Sequence, residues 1–309
     1  RSIGCAIANH GAWINSDPQT IVLGLKELSN EMFLGHRHIM FAHAYKGQQN
    51  SNKILSSFKK GGGVLYDLEF LTDVKGTRVA AFGHYAGFAG AAVGLKIWLE
   101  KRNSEITRDL KVPLATDKNT IVSLLSKSLA QYFAKYDFNP RVIVIGANGR
   151  VGKGARELFN SLDIETTNWD LKETANGGPF PEILNYDIFV NCVLATSSSK
   201  PFITNELIKL PRKLMVISDV SCDPGSKYNT IPLYDLPTSF DRPYHCLISG
   251  NNPLYISAID NLPAMLPRES STDFEKQILT YLLDFKDDNL GVWGRAKKVF
   301  DEHIDTTLI

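Results

Sequence analysis

Cysteine is scarce in this chain. Only Cys5, Cys192, Cys222 and Cys246 occur in 309 residues, far apart and never as a C-x-x-C pair. A disulfide framework and a structural zinc site are thereby excluded as the organising principle, and a reducing, cytoplasmic setting is the expectation. Charge of one sign is lacking too. The 34 Lys and Arg stand against 33 Asp and Glu, for a formal net charge of +1, so nothing marks a partner in nucleic acid or an anionic membrane. No apolar run reaches the length of a membrane span, no internal repeat is present, and the chain opens on Arg1 without a charged-then-apolar signal pattern. What remains is 43% hydrophobic and 22% charged residues. That is the make-up of a globular protein with a large core, and this length divides more naturally into two domains than one.

Glycine is concentrated where it is most informative. Val142-Ile-Val-Ile145 runs into Gly146-Ala-Asn-Gly149-Arg150-Val-Gly152-Lys153-Gly154, and a helix-like segment, Ala155 to Leu162, follows. Glycines in such a turn let backbone N–H groups approach a phosphate with no Cβ in the way, and the helix N-terminus behind them carries partial positive charge. Two nucleotide readings compete. Gly146, Gly149 and Gly152 make a G-x-x-G-x-x-G variant of the dinucleotide fingerprint. Shifted by one residue, Ala147 to Gly154 nearly matches the phosphate loop of nucleoside triphosphatases, but no Ser or Thr follows Lys153 to hold Mg2+. The next strand, Ile164 to Trp169, leads to Asp170, eighteen residues after Gly152. A carboxylate there hydrogen-bonds ribose hydroxyls and repels a 2′-phosphate, so NAD is favoured over NADP. A tight turn without a ligand is the plainer alternative, and Asp170 weighs against it.

Before this loop, strands are expected at Ile21–Leu25, Ile39–Ala44, Gly63–Phe70 and Val79–Phe82, with a helix at Asn50–Phe58. Tyr85 to Trp98 carries the small residues Gly87, Gly90, Ala91 and Gly94, which let a helix pack closely. A helix linking two domains and an ordinary buried helix fit it equally. A helix is expected at Thr120–Tyr136, then strands at Val142–Ile145, Glu165–Trp169, Ile188–Cys192 and Leu214–Asp219. Their spacing implies a parallel, doubly wound sheet. Helices at Phe274–Leu283 and Gly294–His303 are expected to return to the first domain.

The first domain also holds clusters of ionisable groups. Lys26 and Glu27 follow directly on the first strand, His36, His38 and His43 lie in and around the second, and Asp67 and Glu69 close the third. Carboxyl ends of strands are where α/β sheets bind ligands. A lysine there, if desolvated, gives up its proton near neutrality, and a histidine moves protons at pH 7. The bland readings are a solvated surface lysine and a hydrogen-bonded core histidine. A metal site on the three histidines is disfavoured, because His43 would face away from His38 in a continuous strand.

These residues carry a resemblance. The strings Gly24-Leu-Lys-Glu27, Phe41-Ala-His43-x-Tyr-Lys46, Leu65-Tyr-Asp-Leu-Glu-Phe-Leu71, Arg78-Val-Ala-Ala-Phe-Gly83, Tyr85-Ala-Gly-Phe-Ala-Gly-Ala-Ala92, Trp169-Asp-x-Lys-Glu-Thr174, Gly177-Gly-Pro-Phe180, Asp219-Val-Ser221, Ile259-Asp260 and Leu266-Pro-Arg-Glu269 stand in order along the chain. Together they resemble the NAD-dependent, lysine-forming saccharopine dehydrogenases. The resemblance implies an α/β fold of two Rossmann-like domains with doubly wound, mostly parallel sheets and a cleft between them, as in alanine dehydrogenase and transhydrogenase. Residues 1–84 plus 267–309 would form the substrate domain, discontinuous and apparently truncated at its start, and residues 85–266 the NAD domain.

The resemblance also implies the chemistry. NAD takes a hydride from the glutamyl α-carbon of saccharopine, and the imine is hydrolysed to lysine and 2-oxoglutarate. Lys26 would accept the secondary-amine proton and His43 would serve water addition and carbinolamine collapse, with Glu27 and Glu69 tuning the charge of that pair. Gln48, Ser221, Cys222 and Asp223 align with substrate contacts. Arg78, Phe82, Gly146, Gly149, Arg150, Gly152, Asp170, Thr174, Val220, Ile259, Asp260, Asn261 and Leu262 align with the dinucleotide site. No metal, nucleic acid or membrane is expected, and the enzyme is expected to act as a monomer. Two departures stand out. The family's N-terminal segment, with an arginine that clamps a substrate carboxylate, has no counterpart here, and Leu194 replaces an aromatic residue of a relative. A non-catalytic NAD-binding module and an alanine-dehydrogenase-like or opine-type enzyme are the competing readings.

Overall fold

The computed structural model describes residues 3–26, 28, 33–45, 50–102, 116–285 and 289–307. The chain forms two compact units, Arg1–Ala81 with Phe274–Ile309, and Phe82–Asp273. The boundaries thus fall a few residues from 84 and 267, and the second division runs through a helix.

In the first unit, β1 (Ile21–Lys26), β2 (Arg37–Phe41) and β3 (Val64–Asp67) form a parallel three-stranded sheet in that order. Alternation along the strands sends residues to two cores. Met40 and Leu65 face Ile54, Leu55 and Phe58 of α1 (Ser51–Gly61), together with Phe300. Ile39 and Tyr66 face Ile278, Trp293 and Ala296 on the other side. Helix α1 ends in a left-handed Gly62, φ 73°, whose N–H returns to the Phe58 carbonyl. The strand expected at Val79–Phe82 does not form. An isolated antiparallel bridge joins Thr72 and Arg78, and Asp73 binds the Lys75 and Thr77 amides in a turn. The third strand is also shorter than expected, because Asp67 caps a 3-10 turn over Leu68–Phe70.

In the second unit, six strands run in the order β5-β4-β6-β7-β9-β8: β4 (Val142–Ile145), β5 (Thr166–Trp169), β6 (Ile188–Asn191), β7 (Val216–Asp219), β8 (His245–Ile248) and β9 (Leu254–Ser257). All pairings are parallel except β8 with β9. Strand order reverses direction at β4, which has β5 on one side and β6 on the other, so a switch point lies at its carboxyl end. Val142, Val144, Val190 and Val216 pack with α2 (Gly83–Arg102), α3 (Lys118–Tyr136) and α4 (Arg150–Asn160). The alternate residues Ile143, Ile145, Phe189 and Ile217 face Phe180, Ile183, Phe202 and Leu207. Those lie in loops and 3-10 turns rather than α-helices, because Pro179, Pro181, Pro201 and Pro211 punctuate the crossovers.

Helix α2 follows the division between the units and is itself a buried helix of the second. Phe88 to Leu99 are buried on every face, Lys96 being paired with Glu100 at 2.8 Å, so the helix runs through the core of the second unit. A Cβ on Gly87 would stand 1.8 Å from the Val151 carbonyl oxygen, and one on Gly154 would stand 1.7 Å from that of His84. The small residues read in α2 therefore have a partner glycine in α4, and the two backbones touch. Helices α5 (Pro267–Leu283) and α6 (Gly291–Thr306) complete the chain.

Candidate active site

The parallel register of the first sheet brings three strand ends to one edge. Lys26, the last residue of β1, is paired with Phe41, the last of β2, and Met40 is paired with Asp67, the last of β3. Glu27 and Gln48 lie outside the described residues, as does the side chain of Lys26. Beyond Phe41 the strand stops, and His43 takes a left-handed conformation, φ 51°. The premise that His43 continues the strand and points away from His38 therefore fails. A non-glycine residue in this region stores roughly 1 kcal/mol or more, which surrounding contacts must offset.

Those contacts are visible. The half-exposed His43 imidazole lies with Nδ1 3.8 Å from a Glu69 carboxylate oxygen. The other Glu69 oxygen is 3.9 Å from an Arg78 guanidinium nitrogen. Beneath them Asp67 is fully buried. Its carboxyl group accepts the Glu69 amide at 2.9 Å and the Ala42 amide as well, and burial pushes it above the usual carboxylate range. One buried carboxyl thus ties the residue before His43 to Glu69. His36 and His38 are elsewhere in function. Both are buried edge-on against Trp13, with centroids 6.0 Å and 5.1 Å away, and burial lowers His38 to about 4.

In the second unit the glycine loop follows β4. Gly146 has φ 83°, and a Cβ on Gly152 would stand 2.2 Å from the Gly146 carbonyl oxygen. Helix α4 begins at Arg150, five residues before the expected Ala155, so Gly152 and Gly154 are helical. Its N-cap is Gly149, which offers no side-chain cap, and its first turn holds no acidic residue. The first-turn amides are therefore left for an anion. Asp170, just past β5, accepts the Asn148 amide at 2.7 Å and the Leu171 amide at 2.9 Å. Each carboxylate oxygen keeps a lone pair for a ribose hydroxyl. Thr174 closes this turn, donating its hydroxyl to the Asp170 carbonyl at 2.8 Å. The loop suits a dinucleotide.

Val220, Ser221 and Cys222 follow β7 and are half-buried, and Asp223 is exposed. Phe82, whose carbonyl accepts the Ala86 amide at 3.1 Å, opens α2. Asp260 and Asn261 are exposed, whereas the Ile259 and Leu262 side chains belong to the core, leaving only their backbone to a ligand.

Over 310 residues the chain is 42% identical to the saccharopine dehydrogenase (NAD(+), L-lysine-forming) of Yarrowia lipolytica, covering 98% of this chain and 84% of that protein. Identity to the enzyme of the same name from Neurospora crassa is 40% over 311 residues, covering 98% of this chain and 83% of that one. The chain belongs to the saccharopine dehydrogenase family.

Residues 180–307 of this saccharopine dehydrogenase family member also match the family described as alanine dehydrogenase/PNT, C-terminal domain. In fold it is similar to an L-alanine dehydrogenase structure, with a TM-score of 0.52 at 13% identity, covering 91% of this chain and 81% of that one. Asp67 and Asp219 emerge from the structure as polar residues buried beneath the sequence-derived sites. Each is a carboxylate closing an apolar strand, which is the signal that marks them. Tyr234, which binds Asp219, has no such local signal.

Proposed function

We infer that this chain catalyses the NAD-dependent oxidative deamination of saccharopine to L-lysine and 2-oxoglutarate. Its membership of the family along nearly its whole length carries the reading. The clustering of His43, Glu69 and Arg78 at the strand ends supports it. NAD, when bound, supplies the hydride acceptor for the glutamyl α-carbon.

The first-turn amides of α4 hold the pyrophosphate, and Asp170 holds the adenosine ribose. Lys26, at the end of β1, takes the proton of the secondary amine as the C–N bond becomes an imine. His43 removes a proton from the water that adds to the imine carbon. It then returns that proton to nitrogen and, once neutral, takes the carbinolamine hydroxyl proton as the C–N bond breaks, so the carbonyl forms and lysine leaves as an amine. Glu69 faces the His43 ring and favours positive charge on it during proton transfer, and Arg78 lies against the other Glu69 oxygen. Gln48 and residues Ser221 to Asp223 contact the substrate. The unpaired state of all four cysteines supports a cytoplasmic enzyme. We take it to act as a monomer.

A substrate panel tests the reading. Saccharopine with NAD should give NADH, while NADP should serve at least tenfold less well. Turnover of another N-linked amino dicarboxylate, with none of saccharopine, would refute the substrate and keep the reaction class.

A further inference from the structure

The carboxyl ends of β6 and β7 meet over one buried acidic side chain that has no role in the chemistry above. Asp219, the last residue of β7, is 1% exposed. One of its oxygens accepts Asn191 Nδ2 at 2.9 Å and the Ser221 amide at 3.2 Å. The other accepts the Tyr234 hydroxyl at 2.7 Å, and the Cys222 amide also donates to the group. Asn191 is itself fully buried. Its Nδ2 donates to Thr230 Oγ1 at 3.1 Å and its Oδ1 accepts the Val193 amide at 3.3 Å. The Val220 amide donates to the Asn191 carbonyl at 3.0 Å, and the Ser221 hydroxyl donates to that of Val193. Three chain segments, around residues 191, 220 and 232, thus converge on one carboxyl group.

Burying a carboxyl costs several kcal/mol unless it is fully hydrogen-bonded, and an apolar residue would serve the core at less expense. Burial pushes the Asp219 carboxyl above the usual carboxylate range, and the four donor groups around it offset part of that rise. What the network secures is a backbone shape. Cys222 sits in the left-handed region, φ 48°, with its thiol donating to the Ala258 carbonyl at 3.1 Å. The amides of Ser221 and Cys222 point inward to Asp219, which turns the Ser221 to Asp223 segment out beside the β4–β6 switch point, where open α/β sheets bind ligands.

We propose that Asp219 is a positioning residue for the saccharopine dehydrogenase reaction, gathering Asn191, Tyr234 and the Ser221 and Cys222 amides so that the 220–223 segment is preformed for substrate. The proposal rests on the reading that this segment contacts substrate. Preforming it spares the ordering entropy otherwise spent on binding, so its loss appears in KM rather than kcat.

Asp219→Asn and Tyr234→Phe test it in the full chain, the second variant leaving the buried carboxyl in place should the first fail to fold. Each should raise the saccharopine KM at least fivefold and leave kcat within threefold. Alkylation of Cys222, followed by peptide mass spectrometry, should speed up at least tenfold. Cys5 and Cys246, exposed already, should be unaffected. A lower melting temperature with unchanged KM and unchanged Cys222 alkylation would mean a merely structural role and overturn the proposal. Faster alkylation with an unmoved KM would overturn it as well. Should the unsubstituted protein not turn over saccharopine, the functional reading fails, and Cys222 alkylation still decides whether Asp219 holds the segment.

Discussion

His43 concentrates the residue-scale account. Its ring faces Glu69 from a left-handed backbone position that Asp67 braces through the Ala42 amide. If it carries proton transfer, His43→Gln should lower kcat about 100-fold with folding intact, as judged by circular dichroism and steady-state kinetics. A loss under threefold would remove it from the mechanism. His38 gives a different expectation. It is buried and neutral, lowered to about 4. Between that value and about 6.5 the unfolded chain binds a proton that the folded chain refuses, so stability falls as pH falls through this window. The loss is complete below about 4. Urea unfolding should show roughly 1–2 kcal/mol of this loss between about pH 7 and pH 5, and His38→Phe, packed on Trp13 and Phe58, should abolish that share. An unchanged pH slope in the variant would contradict the assignment. Spacing alone marked the histidines as chemistry without ranking them, and only the family resemblance singled out His43. Residues 36, 38 and 43 look alike in the sequence, and only the end of β2 at Phe41 separates core from site.

At the scale of elements, legibility followed burial. Strand β4 was readable to the residue because four consecutive apolar residues meet a glycine turn. Strands β8 and β9 were missed. Each is four residues long with only three consecutive apolar residues, and β8 is an edge strand whose residues are exposed or half-buried. The start of α4 was misplaced because glycine has poor intrinsic helix propensity. Here tertiary packing overrides that propensity, since Gly152 and Gly154 are where other backbones come closest. The α2–α4 contact gives an element-scale test. Gly154→Ala places a methyl group against the His84 carbonyl and should destabilise the protein by about 2–4 kcal/mol, lowering its melting temperature. A variant as stable as the parent would mean the helices have room to part.

Across the whole molecule, the C-terminal segment from Phe274 belongs to the same compact unit as the first 81 residues. Trp293 and Phe300 of α6 pack on Tyr66 and Phe58, more than 200 residues earlier in the chain. The two candidate sites read from the sequence in opposite ways. The nucleotide loop announces itself locally, by spacing. The proposed acid–base residues follow three separate strands, whose ends only the parallel register of β1, β2 and β3 brings to one edge. The network around Asp219 was not legible, because Tyr234 reaches it from a loop with no periodic pattern. No helix among the described residues is long and apolar enough to cross a membrane.

We infer that this chain splits saccharopine oxidatively with NAD. Incubating the protein with both and quantifying NADH, L-lysine and 2-oxoglutarate puts that reaction to the test. The three products should form in equal amounts, with formation abolished or strongly slowed in Lys26→Met. NADH without lysine, or no NADH from active, NAD-binding protein, would contradict it.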